Sequence, residues 1–157
     1  MNEKFKSAID DLHSKFELLV AMSPCTVEQL PATDNMPIAG VYLFSEGDTD
    51  LYVGRSDTIR SRLQSHCRPS SDHHSATFAY RLATEITRIK PIKYSPDSSR
   101  DKVQVLPEFA PVFVEQKARI RKMDVRFVSE PAPLKQALLE MYAAISLETP
   151  HNNFDNH

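Results

Sequence analysis

The stretch GVYLFSEGDTDLYVG, residues 40–54, decides the fold of this chain. Its two ends are rich in β-branched and aromatic residues, and the polar segment 45–50 between them contains Gly47. This pattern predicts a β-hairpin. If the turn centres on Gly47, Tyr42 lies opposite Tyr52, and a register shift of two residues leaves both phenols on the same face. The other face then carries Leu43, Leu51 and Val53.

The hairpin stretch also holds every glycine of the chain. Average usage of about 7% gives roughly 11 glycines in a chain of this length, whereas this one has 3, at positions 40, 47 and 54. Gly40 and Gly54 are expected where the backbone and a substrate approach closely, because a Cβ would obstruct that approach.

Length and composition set the class of protein. A chain of 157 residues is expected to form a single domain. The hydrophobic share of 41% and the charged share of 25% exclude wholesale disorder. Cys25 and Cys67 are too few for a disulfide framework, and neither a signal-peptide pattern nor a transmembrane stretch is found. We therefore expect a cytoplasmic protein with free thiols.

Charge is distributed unevenly along the chain. Residues 1–54 carry 3 Lys/Arg against 9 Asp/Glu, residues 55–126 carry 15 against 8, and residues 127–157 carry 1 against 4. A basic middle between acidic ends suits a phosphate-facing surface, although a solvated helical surface explains the same charges.

Apolar residues at helical spacing predict several helices and one further strand. The helices cover residues 3–22, Ser56 or Asp57 to about Cys67, 76–90 with Ser75 as cap, 108–122, and a last helix that Pro131 and Pro133 open and that ends before Pro150. Residues 123–129 form the strand, and residues 91–107 a loop. One stripe of the last helix is expected to face the core: Leu134, Leu138, Met141, Tyr142 and Ile145, with Glu140 at its margin.

The helix after the hairpin has an unusual stripe. Arg62 and His66 share it with Ile59 and Leu63, at the spacing i, i+3, i+4, i+7. A cation and a histidine on a core-facing stripe favour a position at the rim of a cleft.

These residues resemble the GIY-YIG nuclease superfamily. Gly40-Val41-Tyr42 and Tyr52-Val53-Gly54 match its paired tripeptides, with valine for isoleucine in both. The run from Arg55 through Arg62-Leu63 to His66 is similar to the family's YIG-K-T-x-x-L-x-x-R-L-x-x-H, with Arg55 where lysine is frequent.

The resemblance continues towards the end of the chain. The strand at 123–129 followed by Leu139-Glu140 resembles the third strand and the glutamate helix, and Pro150-His151-Asn152-Asn153 resembles a closing P-x-x-N element. The family implies an α/β (α+β) fold with a small three-stranded antiparallel sheet flanked by helices. We expect one domain with an N-terminal helix and lead-in (1–36), the hairpin and arginine helix (37–66), a helical insertion (67–122), and the third strand, glutamate helix and tail (123–157).

The resemblance also implies metal-dependent hydrolysis of phosphodiester bonds. Glu140 would hold one Mg²⁺ or Mn²⁺, because hard cations bind oxygen ligands. Arg62 would bind the scissile phosphate with its planar guanidinium.

Two residues compete for the role of general base. Tyr42 needs a pKa lowered by Arg55, Arg62 or the metal, whereas the ordinary pKa of His66 lies much nearer working pH. The sequence leaves this choice open. Tyr52 would orient the water or the phosphate, and Arg55 would contact substrate.

Further polar residues are candidates for binding. Asn153, with Asn152 as a near-equal alternative, would support the site by bonding to backbone. His73 and His74 would contact phosphate. A zinc site built from these two histidines with His66 and Cys67 is disfavoured, because their spacing fits no standard zinc pattern. A basic set could extend a DNA-tracking surface: Arg81, Arg88, Lys90, Lys93, Arg100 and Lys102.

The sequence thus predicts a metal-dependent endonuclease that acts on DNA, with RNA as an open alternative and no membrane partner. The N-terminal helix is an extra packing element or a homodimer contact. Two rival hypotheses are a non-catalytic nucleic-acid-binding module and a protein-interaction domain that keep the same framework.

Overall fold

The computed structural model describes residues 1–92 and 99–154. Its chain forms two compact units, each described by itself below: a first unit of Met1–Ser61 with Met123–His157, and a second unit of Arg62–Lys122. The assignment of the whole chain to one domain stays a prediction.

The first unit is built on a three-stranded antiparallel sheet. Strands β1 (Gly40–Glu46), β2 (Thr49–Ser56) and β3 (Asp124–Ser129) lie in the order β2-β1-β3, so β1 is central. All of β1 except its last residue is buried, which agrees with its apolar sequence and its position between two neighbours. Together with the flanking helices, this sheet confirms the fold class that the sequence predicts.

The hairpin register differs by two residues from one in which Tyr42 faces Tyr52. Tyr42 pairs with Gly54 and Phe44 with Tyr52, and the register shifts between Phe44 and Ser45. The turn uses two residues, with Gly47 at a φ of +59°, a conformation that glycine adopts without strain. Because directly opposed residues share a face, both tyrosines still lie on one face, as predicted.

Two helices cover the other face of the sheet. Helix α1 (Glu3–Ala21) and helix α6 (Pro133–Ser146) pack against the strands and against each other. Asn2 caps α1 with its side-chain oxygen, which accepts from the Lys4 and Phe5 amides. The core that results is aliphatic: Leu12, Leu19, Val41, Leu43, Val53, Val128, Leu139, Ala143 and Ala144.

The stripe of α6 that we expected to face the core is wrong in three of its five members, while Leu138 and Tyr142 are partly buried against the core. Leu134 is 74% exposed and Ile145 66%, and Met141 is exposed as well. The buried stripe consists of Gln136, Leu139, Ala143 and Ala144. Small side chains let the helix axis approach the sheet closely, so the buried stripe is centred on Leu139 and Ala143 and only the edge of the predicted stripe reaches the core.

Helix α1 is buried only along part of its predicted stripe. Leu12 and Leu19 are buried and Phe16 is partly buried, but Phe5 and Ile9 are exposed. The first two turns of the helix therefore carry an apolar stripe that the described residues do not cover.

Helix α2 (Ile59–Cys67) begins in the first unit and ends in the second. The Ser56 hydroxyl accepts the Thr58 amide at 2.9 Å just before the helix starts, and the Ile59 amide donates to the Ile38 carbonyl at 2.8 Å. Ile59 and Leu63 are both fully buried, as their spacing predicts.

The second unit is helical. Helix α3 (Thr77–Thr87) packs on helix α5 (Ala110–Arg121), and a short helix α4 (Arg100–Val103) lies within the segment we expected to be a loop. The prediction that Ser75 caps α3 is wrong, because Ala76 is the N-cap residue and no side chain caps this helix. The Asp72 carboxylate instead accepts the amides of His74 and Ser75, each at 3.0 Å.

Within residues 1–92 and 99–154, no helix combines the length and apolarity needed to cross a bilayer.

Candidate active site

The phenol of Tyr42 lies directly against Gly54. A Cβ at position 54 would overlap the ring carbon and the hydroxyl of Tyr42, so glycine is required where these two motifs meet. Tyr42 is only 1% exposed, and its ring makes an edge contact with Phe44 at 5.8 Å between centroids. The close approach expected at Gly54 is therefore made by a tyrosine of this chain.

Gly40 allows a second close approach, to the backbone of β3. A Cβ there would overlap the Val128 carbonyl oxygen, and the φ of Gly40 is +157°. The neighbouring Ala39 carbonyl accepts the Glu130 amide at 3.1 Å. Both glycines of the paired motifs thus have a steric role inside the first unit.

Tyr52 is the more accessible of the two tyrosines. It lies opposite Phe44 on β2 and is partly exposed. Of the two phenols, Tyr52 is therefore the one that solvent reaches.

Arg55 and Glu140 form an ion pair. The Arg55 Nε donates to Glu140 Oε2 at 3.0 Å, with 45% of the arginine side chain and 21% of the glutamate side chain exposed. Arg55 lies opposite Val41 on β2, so it projects from the face that α6 covers, whereas Tyr42 projects from the other face. The structure thus joins Arg55 to Glu140 and places Tyr42 and Tyr52 on the opposite side of the strands.

Burial changes the ionisation of Glu140. Desolvation raises the pKa of its carboxyl above the ordinary value, and the Arg55 guanidinium offsets part of that rise. A carboxylate with a raised pKa and a cationic neighbour is a common feature of functional sites, although structural ion pairs share it.

The Glu140 carboxylate fits a hard divalent cation. Arg55 donates a hydrogen bond to one oxygen, Oε2. The other oxygen, Oε1, is the atom that would bind a cation. Mg²⁺ is often held by one carboxylate together with water and substrate phosphate. An oxygen ligand of this kind is one that Mg²⁺ or Mn²⁺ could take.

The end of the chain supports the edge of the sheet. Asn152 accepts the Val53 amide and donates to the Val53 carbonyl, both at 2.8 Å, and it also accepts the Thr149 hydroxyl at 2.8 Å. The sequence left Asn152 and Asn153 as near-equal candidates for bonding to backbone. The residue with these bonds is Asn152, while Asn153 is exposed.

Arg62 lies in the second unit and binds neutral oxygens. Its Nη1 donates to the Ser75 carbonyl at 3.1 Å and its Nη2 to the Thr77 hydroxyl at 3.0 Å. Neither acceptor carries a charge, so these two bonds fix the guanidinium without neutralising it.

His66 is completely buried in the second unit. Burial lowers its pKa well below the usual range, and the Arg62 guanidinium lowers it further. The imidazole is therefore neutral at neutral pH. A low pKa makes it a weak base, and its burial keeps it from solvent.

His73 and His74 are adjacent in sequence but differ in exposure. His73 is buried and its Nε2 lies 2.9 Å from the Asp101 carboxylate, whereas His74 is exposed. The ring centroids are 3.8 Å apart. The structure therefore associates both histidines with Asp101, which the sequence did not indicate.

Part of the basic charge of the middle segment is used inside the second unit. Lys117 is buried and donates to the carbonyls of Pro69 and Ser71 at 2.6 and 2.8 Å, and Arg121 donates to the Cys67 carbonyl at 3.0 Å. Of the set expected to track DNA, Lys93 falls outside the described residues and Arg81 is partly buried. The exposed members are Arg88, Lys90, Arg100 and Lys102.

Gln136 is a structural residue that sequence reasoning missed. It is 1% exposed, and its amide donates to the Glu130 carbonyl at 2.9 Å and to the Asp57 carboxylate at 3.0 Å. A polar residue on the buried stripe of α6 gives no periodicity signal. The one available signal is its position three and seven residues before Leu139 and Ala143, which lie on the buried stripe.

Comparison with protein-family models, curated proteins and solved structures finds no match to this chain. The geometry of the residues themselves is therefore the basis for inferring its function.

Proposed function

We propose that this chain is a metal-dependent endonuclease of the GIY-YIG type that hydrolyses phosphodiester bonds in DNA in the cytoplasm. The observation that carries the proposal is the hairpin, in which Gly40-Val41-Tyr42 and Tyr52-Val53-Gly54 lie on neighbouring antiparallel strands and the Tyr42 phenol rests on Gly54. Glycine at position 54 is what allows the Tyr42 ring to lie there.

The charged residues support the same chemistry. Glu140 would hold Mg²⁺ or Mn²⁺, which would neutralise phosphate charge, and Arg55 holds the carboxylate in place through its 3.0 Å bond. Within the second unit, Arg62, whose guanidinium is oriented by two neutral acceptors, would bind a phosphate of the substrate.

Burial disfavours both candidate bases, Tyr42 and His66, and leaves Tyr52 as the accessible phenol. His66 is fully buried and its pKa is strongly lowered. A general base that takes a proton from the attacking water works best when its pKa lies near the working pH. Tyr52 is the phenol that solvent reaches, so we assign it the role of orienting water, although it projects from the opposite face of the strands to the Arg55–Glu140 pair. Tyr42 contributes as a base only when substrate or a shift of its neighbours opens a path to it.

Plasmid cleavage tests the proposal. We expect nicking or linearisation by the wild type with Mg²⁺ or Mn²⁺, none with EDTA, and a loss of at least ~100-fold in Glu140→Gln, since such a residue contributes to charge stabilisation in the transition state. Glu148→Gln is the matched control, because Glu148 is an exposed carboxylate just beyond the end of the same helix.

Two results would overturn the nuclease assignment. Cleavage that persists in Glu140→Gln would mean that another group or a contaminant acts. Salt-sensitive DNA binding without cleavage by the wild type would instead favour the non-catalytic binding module.

One observation favours that second function. Tyr42 and His66, the two candidate bases, are both almost fully buried. A module that binds nucleic acid without turnover needs neither group to reach water, and it would bind DNA equally well with metal or EDTA.

A further inference from the structure

A cluster of three ligand-type side chains lies in the second unit. Ligand atoms of His73, His74 and Asp101 are all within 4.8 Å of one another. Within residues 1–92 and 99–154 no other group of three histidine, cysteine or acidic residues meets this condition. The sequence disfavours a zinc site of these two histidines with His66 and Cys67, and the residue that the structure brings to them is Asp101.

The backbone around the cluster is held in place from two sides. The Asp72 carboxylate accepts the His74 and Ser75 amides at 3.0 Å, which fixes the turn that carries the histidines. The His73 amide donates to the Gln104 side chain at 2.9 Å, and this residue follows directly after α4, the helix of Asp101. The two ligand-bearing segments are therefore joined by a bond that does not use the ligands themselves.

The bonding of His73 is directed towards the cluster. The residue is 3% exposed, its Nε2 lies 2.9 Å from Asp101 Oδ1, and its Nδ1 is buried without a hydrogen-bond partner. A buried imidazole usually satisfies both nitrogens, because an unmatched polar atom costs free energy. The one ring nitrogen of His73 with a partner, Nε2, contacts the Asp101 carboxylate, whose side chain is 73% exposed.

We propose that His73, His74 and Asp101 form a binding site for a divalent transition-metal ion of the Zn²⁺ type. Two imidazole nitrogens and one carboxylate oxygen are a ligand set that Zn²⁺ takes, with water in the remaining position, whereas Mg²⁺ selects oxygen ligands. The site is separate in its ligands from Glu140 and does not depend on nuclease activity.

The distances suit such an ion. Bonds of about 2.0–2.2 Å place two ligands of a tetrahedral ion roughly 3.4 Å apart. The Nε2 of His73 and Oδ1 of Asp101, 2.9 Å apart, are already close to that separation. His74 is exposed, so rotation of its side chain brings the third ligand to the ion without moving the core.

The bound ion would cross-link two segments of the second unit. It would link the turn at residues 72–75 to α4, two segments that are distant in the chain. Because metal binds the folded site and not the unfolded chain, Zn²⁺ should raise the Tm of the protein in a concentration-dependent way.

Zinc titration of untagged, chelator-treated full-length protein tests the site. We expect one Zn²⁺ per chain by calorimetry, a visible absorption band when Co²⁺ replaces it, and affinity at least ~10-fold weaker in His74→Ala and in Asp101→Asn. Both residues are exposed, so neither variant should lose its fold, which circular dichroism checks. His13→Ala and Asp34→Asn, which alter an exposed histidine and an exposed aspartate of the first unit, should bind Zn²⁺ as the wild type does.

Two outcomes would overturn this proposal: wild-type protein that binds no Zn²⁺, or affinity that is the same in the wild type, His74→Ala and Asp101→Asn. Titration of Glu140→Gln separates the zinc site from the proposed nuclease function. Loss of cleavage with unchanged Zn²⁺ binding in that variant supports both, and loss of Zn²⁺ binding there would contradict the assignment to the histidine cluster.

Discussion

The two units satisfy their backbone oxygens in different ways. In the first unit, strands pair with strands, and Asn152 completes the outer edge with a side-chain amide. In the described part of the second unit, cationic side chains bind the carbonyls of segments that connect helices. The bonds are Arg62 to Ser75, Lys117 to Pro69 and Ser71, and Arg121 to Cys67.

This difference changes how the basic middle of the chain is interpreted. Positive charge in residues 55–126 suggested a surface for nucleic acid, but three of those cations stabilise loops within the second unit. A cation that binds neutral oxygens keeps its charge, so the same residue can hold a loop and attract an anion. The net charge of a segment therefore does not distinguish cations that hold a loop from cations that attract an anion.

Replacing the buried lysine should have the largest effect on stability. Lys117→Met removes both carbonyl bonds and the ammonium that lies 4.4 Å from the Phe113 ring centroid. We expect the free energy of unfolding to fall by about 2–4 kcal/mol, because two carbonyls lose their partner. Urea unfolding of Lys117→Met beside the exposed Lys122→Met measures this, and equal midpoints would show that the lysine does not hold these loops.

Removing the side chain that completes the sheet edge should cost less. Asn152→Ala takes away both bonds to Val53, and we expect a loss of about 1–3 kcal/mol. The neighbouring variant Asn153→Ala should stay within about 0.5 kcal/mol of the wild type, as exposed positions do. Hydrogen exchange at the Val53 amide should accelerate only in Asn152→Ala, and the reverse order of effects would assign the supporting role to Asn153.

The buried histidine should make stability depend on pH. Since its folded-state pKa is lowered, the unfolded chain binds a proton that the folded chain does not as pH falls below about 6.5. Stability is then retained above that pH and lost below it, by about 1.4 kcal/mol per pH unit for one group. Unfolding of the wild type and His66→Gln between pH 7 and 5 should give a steeper acid loss in the wild type, and parallel curves would contradict the role of His66.

The smallest expected effect on the free energy of unfolding is that of replacing Glu140. Its raised pKa means that ionisation of the buried carboxyl opposes folding above the ordinary glutamate pKa of about 4.3. At pH 7, Glu140→Gln should therefore keep or slightly raise the free energy of unfolding, by less than about 1 kcal/mol, although Arg55 loses a partner. Thermal unfolding checks this, and a clear drop in Tm would make Glu140 a structural residue rather than one placed for function.

Much of the first unit could be predicted from sequence. The helix over residues 3–22, the hairpin and the third strand follow from local periodicity, because a strand or helix with one buried face repeats its apolar residues at a fixed spacing. The shared face of Tyr42 and Tyr52 also survives a two-residue shift in register, since side chains alternate with a period of two.

What the sequence determined by itself is thus the set of longer helices and strands, without the short helix α4, and the positions of the glycines. Tertiary structure decided four further features. They are the buried stripe of α6, the backbone bonds of Asn152, the Arg55–Glu140 pair, and the approach of Asp101 to His73 and His74. Each of them joins residues from distant parts of the chain or depends on how closely two elements pack, and neither is recorded in local periodicity. A sequence pattern records which side chains an element presents, while the distances between elements decide which of those side chains meet.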